Sequence, residues 1–204
     1  MTHKTFINIC LTLIALCWTM AIQAQTATVD GINYSLKAYE KIAEVTKSTA
    51  TGDIVIPEKI TVDGVEYSVT SIASGAFQDC KALTSVAMPS VTSIGLEAFS
   101  GCSNLTSVNM PSVTSIESNA FWECSSLTSV AMPSVTSIGS SAFWFCLSLT
   151  SVDMPSVTSI GDNAFESCPI INLSLPATLT SIGNSCFTAT RDITLAATTP
   201  ASLG

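Results

Sequence analysis

Residues 127–148 read LTSVAMPSVTSIGSSAFWFCLS, and near-copies of this 22-residue unit occupy 83–104, 105–126 and 149–170 without a gap. The step extends further in single columns. Phenylalanine recurs at 77, 99, 121, 143, 165 and 187, and isoleucine at 72, 94, 116, 138, 160 and 182. Cysteine keeps the same period at 80, 102, 124, 146 and 168. Columns held at one period mark a solenoid, in which each unit repeats one supersecondary element.

Within the unit, Leu127, Val130 and Met132 suit a short strand with an inward face, and Pro133 ends its ladder. Val135 and Ile138 supply a second inward segment, and Gly139 lets the chain turn. Ala142, Phe143 and Cys146 fit one helical or 3₁₀ turn laid on the core. No coil of this size can bury its apolar face alone, so each must stack on its neighbours. The expected fold is a mainly β solenoid: a right-handed stack of about six coils, with short parallel strands about 4.8 Å apart. Identical side chains then form ladders, and Thr128, Ser129, Thr136 and Ser137 hydrogen-bond along the stack or face water.

The unit L-x-x-V-x-M-P-S-V-T-S-I-G-x-x-A-F-x-x-C resembles the BspA-like, or treponemal-type, leucine-rich repeat over residues 69–190. The A-F-x-x-C turn and the proline after the strand carry the resemblance. The asparagine of the wider leucine-rich class is missing. The resemblance therefore implies the family's own cross-section, not an intracellular-receptor horseshoe. It further implies a secreted or surface-displayed bacterial protein, often adhesive, with no enzymatic activity in the repeats.

Residues 1–24 read as a signal peptide: a short start containing Lys4, an apolar run from Phe6 to Ile22, and Ala24 before the expected cleavage point. Residues 25–68 read as an N-terminal β cap rich in hairpins, with Asp30-Gly31 and Asp63-Gly64 as two-residue turns. Residues 191–204 read as the start of a further, incomplete coil. An open last coil would expose core, so a fragment of a longer protein is the favoured reading.

Hydrophobic residues make up 47% of the 204 and charged residues 11%, with a formal net charge of −8. That is too apolar for a disordered chain and too acidic for nucleic acid. No Lys or Arg lies between Lys81 and Arg191. The one histidine, His3, falls in the signal, so histidine-assisted nucleophiles and histidine metal sites are not expected. Asp162 and Glu166, four apart, form a conceivable acid/base pair, but such a pair is more often a solvated face. For the cysteine column, buried thiols are favoured over disulfides between coils, and both over metal, because a ladder points its thiols one way. No catalytic residue, metal or cofactor is expected.

Binding remains. Repeat proteins recognise partners through the columns that vary. One lies in the strand: Ala87, Asn109, Ala131 and Asp153. The other is the pair after each phenylalanine, which includes Trp122-Glu123 and Trp144-Phe145. Trp122, Trp144 and Phe145 are expected to form an exposed aromatic platform, with Glu123, Asp153 and Asn109 as polar contacts. The expected partner is an extracellular protein or glycan, met by a monomer with no nucleic acid and no membrane insertion after signal cleavage. A passive stalk for a domain elsewhere is the competing reading, supported by the near-identity of the coils.

Overall fold

The computed structural model describes residues 25–195, and all its regular elements are strands. The expected signal peptide, and residues 196–204 of the expected incomplete coil at 191–204, lie outside the described residues. Two strand columns run the length of the molecule. On one side β3 (Ile42–Val45), β6 (Val65–Ile72), β8 (Ser93–Ile94), β10 (Ser115–Ile116), β12 (Ser137–Ile138), β14 (Ser159–Ile160) and β16 (Ser181–Ile182) pair in parallel, in that order. Ile72, Ile94, Ile116, Ile138, Ile160 and Ile182 oppose one another directly, so the 22-residue period is the sheet register itself. On the other side the ladder is divided. One part joins β4 (Gly52–Val55), β7 (Leu83–Ala87) and β9 (Ser107–Asn109). Further along, β11 (Ser129–Ala131) pairs with β13 (Ser151–Asp153), and β15 (Leu173–Leu175) with β17 (Ile193–Leu195).

Between the two columns lies a single core of stacked ladders. Phe77, Phe99, Phe121, Phe143 and Phe165 are fully buried. Central neighbours in this column stack at 5.1 Å between ring centroids, with planes within 5° of parallel. Leu127, Met132, Val135 and their column mates fill the rest. Outside the core, Thr92, Thr114, Thr136, Thr158 and Thr180 each donate a hydroxyl to the carbonyl of the same column one coil earlier. Ser112, Ser134 and Ser156 do the same to the preceding proline carbonyls. The polar half of the repeat is thus satisfied along the stack.

The expected helical or 3₁₀ turn around each phenylalanine is only partly realised: no helix forms among the described residues, and bonds to the third residue back alternate with bonds to the next coil. In the coil of Phe99, the amides of Ala98, Ser100 and Cys102 bond three residues back, to Gly95, Glu97 and Phe99. The amides between them reach outward instead: those of Glu97, Phe99 and Gly101 donate to the carbonyls of Ser118, Ala120 and Trp122 in the next coil. Alternation is produced by left-handed residues four apart, such as Glu97 (φ 55°) with Gly101 (φ 73°) and Ser141 (φ 56°) with Phe145 (φ 59°). A helix would direct every amide along its own axis and leave this side of the stack unpaired. Gly139 also has a different role from the one expected. It is not left-handed; a Cβ there would meet the Ser118 backbone nitrogen at 2.5 Å, so the residue permits close approach of two coils.

The N-terminal residues extend the stack as well as covering it. β1 (Gln25–Val29), β2 (Ile32–Lys37) and β3 form an antiparallel meander, and β5 (Lys59–Val62) pairs with β6 across the Asp63-Gly64 turn. Both turn residues have positive φ, 50° and 78°, as does Asp30-Gly31, which matches the twist of a tight hairpin. Yet β3 pairs in parallel with β6, and β4 with β7, so residues 42–55 add a divergent turn to the front of the solenoid. Thr84 and Ser85 tie it on, donating to the Asp53 carboxylate at 2.7 and 2.6 Å.

The cysteines form the inward ladder that the period predicts. Cys102, Cys124, Cys146 and Cys168 are buried thiols. Each donates to the carbonyl of the phenylalanine in the preceding coil, at 3.0–3.2 Å. That carbonyl already accepts the amide of the cysteine in its own coil, so the thiol occupies its second lone pair. Burial pushes the Cys102 thiol up to about 12 and raises Cys124 and Cys146 well above their ordinary value. A thiol that does not ionise near neutrality is a poor nucleophile.

Two outcomes follow from this packing. Replacing Phe121 by Ala should cost about 3–5 kcal/mol, because a ring stacked on both sides leaves a cavity. Phe187→Ala should cost less, since Phe187 is only half-buried and stacks on Phe165 alone among the described residues; chemical denaturation of the two variants compares them. Native protein at pH 8 should expose at most Cys80, which is half-buried, to a thiol reagent, and denaturation without reductant should release all six thiols at 80–186. Two or fewer would mean stapled coils. Cys102 and Tyr34 both keep their protons in the fold up to about 12. The unfolded chain gives them up from about pH 9–10, so melting temperature should hold below about pH 9 and fall as pH rises towards 12.

Candidate functional site

The peptide after each core phenylalanine forms the turn side of the coil, away from both strand columns. The residue next to phenylalanine is Gln78, Ser100, Trp122, Trp144 and Glu166 in successive coils. Trp122 and Trp144 therefore lie one above the other, with ring centroids 6.4 Å apart and planes tilted by 36°. They are less exposed than the sequence suggests. Both are half-buried, and the indole nitrogens are fully buried without a hydrogen-bond partner. The indoles lie partly in the surface instead of standing on it, because neighbouring coils are too close to leave a large ring free.

The next position is left-handed in each coil from Asp79 to Ser167. Gly101 suits it, whereas Phe145 occupies it at φ 59° and is 37% exposed. A non-glycine residue there costs on the order of 1–2 kcal/mol. The ring stacks on Trp144 with centroids 5.0 Å apart and planes 16° from parallel. Beside it is a shallow pocket of about 270 Å³, lined by Ser103, Glu123, Ser125, Phe145 and Leu147. Leu147 is 57% exposed. It stands where the two preceding coils carry Ser103 and Ser125. The pocket is a step: short side chains on one side, two large apolar ones on the other.

The structure brings Trp122, Trp144, Phe145 and Glu123 to this one corner. The Glu123 amide donates to the Trp144 carbonyl at 2.9 Å, and Glu123 is one of the residues that line the pocket. Asn109 and Asp153 lie elsewhere. They end β9 and β13 on the strand side, exposed and in register with Ala87 and Ala131 respectively. Neither lines the pocket. Leu147, Ser103 and Ser125 were not singled out from the sequence. Their signal was the change from serine to leucine in the position after the cysteine.

One of the other acidic candidates, Asp162, has structural partners. The Asp162 carboxylate accepts the Asn184 amide at 2.6 Å and its side-chain nitrogen at 3.2 Å. Among the described residues no group of three or more His, Cys, Asp or Glu side chains converges as metal ligands would.

The model of the BspA type leucine-rich repeat region matches residues 65–194 in six copies. No curated protein matches the chain. Among solved structures, the chain is similar to a leucine rich cell surface protein from Faecalibacterium prausnitzii, at 33% identity and a TM-score of 0.66. That match covers 84% of this chain and 54% of the other, so the chain spans about half the length of that relative. The leucine rich repeat protein of T. pallidum is 29% identical, with a TM-score of 0.60 over 81% of this chain and 89% of its own. A leucine-rich repeat protein from Bacteroides ovatus is 27% identical, with a TM-score of 0.61 over 82% and 52%. A 22-residue register, a stacked phenylalanine column and six matched copies agree: the chain belongs to the BspA-type leucine-rich repeat family.

Proposed function

We propose that the protein is exported to the bacterial surface or beyond and binds an extracellular protein or glycan through its turn-side aromatic corner, without catalysis. The observation that carries this reading is Phe145, a large apolar side chain more than a third exposed on a left-handed residue. The left-handed backbone recurs in this column in every coil from Asp79 to Ser167, so what sets this coil apart is the large apolar ring carried there. An exposed aromatic beside an apolar step is also the usual anchor of a protein interface. Export is supported by the N-terminal sequence and by the surface location in the F. prausnitzii relative's name. Absence of catalysis is supported by the buried, protonated thiols and by a scaffold whose polar groups are spent on stacking.

The stalk reading keeps one observation in its favour, the near-identity of the four central coils. Phe145→Gly separates the two. Glycine accepts the left-handed backbone and already fills this column at Gly101, so the fold and its melting temperature should be retained. Beads coated with the full chain should be held by at least one member of an array of immobilised extracellular proteins and glycans. The glycine variant should lose about tenfold or more of that retention, as loss of an interface anchor does. No retention by the parent, or retention unchanged in the variant, would favour the stalk.

A further inference from the structure

We propose that the step beside Phe145 takes an arginine side chain from an exposed, basic segment of a partner protein; this rests on the aromatic corner being the binding surface. Size comes first. Sites for free small molecules span about 300–1,000 Å³, and this pocket of about 270 Å³ is open to solvent and falls below them. It suits one side chain delivered by a larger partner.

Chemistry of the lining narrows the side chain. Phe145 stacks on Trp144 and is one of the residues that line the pocket. Leu147 adds an aliphatic wall, and Glu123 a carboxylate. A guanidinium is the group that uses all three. Its plane stacks on an aromatic face, its methylene stem lies along apolar surface, and its N–H fork bonds a carboxylate. An ammonium would satisfy Glu123 and be drawn to the ring, but it has no plane to stack on the ring and no fork to bond both carboxylate oxygens. A neutral sugar could stack on Phe145. However, its many hydroxyls would find one carboxylate and two serines, and the Ser125 hydroxyl is already donated to the Ser103 carbonyl at 3.3 Å.

Charge complementarity agrees. Between Lys81 and Arg191 the repeats carry Glu97, Glu117, Glu123, Asp153, Asp162 and Glu166 and no basic residue. Among the described residues the one ion pair is Lys59 with Glu66, in the N-terminal hairpin. Glu123 therefore has no cation of the repeats to neutralise it. The field over these coils attracts a basic segment and repels an acidic one, raising the encounter rate of the former.

The sequence supplies its own reporter. The three tryptophans are Trp18, Trp122 and Trp144, so in a full chain carrying Trp18→Phe all indole emission comes from this corner. Hexa-arginine, hexa-lysine, hexa-glutamate and maltohexaose are titrated at low salt. Hexa-arginine should change the emission and bind about threefold or more tightly than hexa-lysine, from stacking. Glu123→Gln and Phe145→Gly should each weaken it about tenfold, the scale of a lost charge-assisted bond or interface anchor. Asp63→Asn, the same charge change in the tight turn before β6, should shift it less than about twofold. Equal weakening by Asp63→Asn would reveal diffuse attraction and overturn the proposal. So would an unchanged affinity in Phe145→Gly, or no response to hexa-arginine. A response to maltohexaose that Phe145→Gly abolishes, without one to hexa-arginine, would overturn the arginine assignment and leave the aromatic corner as the binding surface.

Discussion

Backbone hydrogen bonding from coil to coil is the constraint on which the rest of this molecule depends. Every coil of 22 residues must return the chain to a position one strand spacing along the axis, or neither strand column can pair. All three sides obey it. The isoleucine strands pair residue for residue, and the valine strands pair in separate blocks. The turn side sends every second amide to the next coil. Stacked phenylalanines and thiols follow from the same geometry, since identical residues one period apart must lie over one another.

This constraint explains residue types that look odd in isolation. Left-handed backbone at Glu97, Asn119, Ser141 and Asn163 is tolerated because it turns the following peptides towards a neighbour. Cysteine recurs in the core because a small, weakly donating side chain satisfies the phenylalanine carbonyl without the desolvation cost of a hydroxyl. Threonine and serine recur outside because their hydroxyls bond one coil back. A repeat so fully committed to its neighbours has few positions left for function. The variable columns on the turn side are where side chains escape the ladder.

At Phe145 that freedom is used in an expensive way. A bulky residue occupies a position that Gly101 fills without strain two coils earlier, and its ring is supported from behind by Trp144. Leu147 beside it departs from the serines of the preceding coils. Two departures in one coil build a step that no uniform repeat would have. Its carboxylate neighbour, Glu123, belongs to a run of coils without a single basic side chain.

By itself the sequence determined the architecture. A strict period of 22 leaves only stacking as a way to bury Phe, Ile, Val and Met columns, so the solenoid, its register, its thiol ladder and the strands of the N-terminal residues were all legible. The resemblance of the repeat to the BspA type was legible for the same reason, because the periodic residues are the family's own. Tertiary structure alone decided three things. It replaced the expected helical turn by alternating amides, since local propensity at Ala142 and Phe143 has no information about the neighbour that takes the next N–H. It made residues 42–55 part of the stack, because divergent sequence can still offer strand edges. And it split the six candidate contacts, bringing Trp122, Glu123, Trp144 and Phe145 to one corner with Leu147 while leaving Asn109 and Asp153 on the strands. Proximity across coils depends on which side of the coil a column occupies, and a one-dimensional pattern does not carry that.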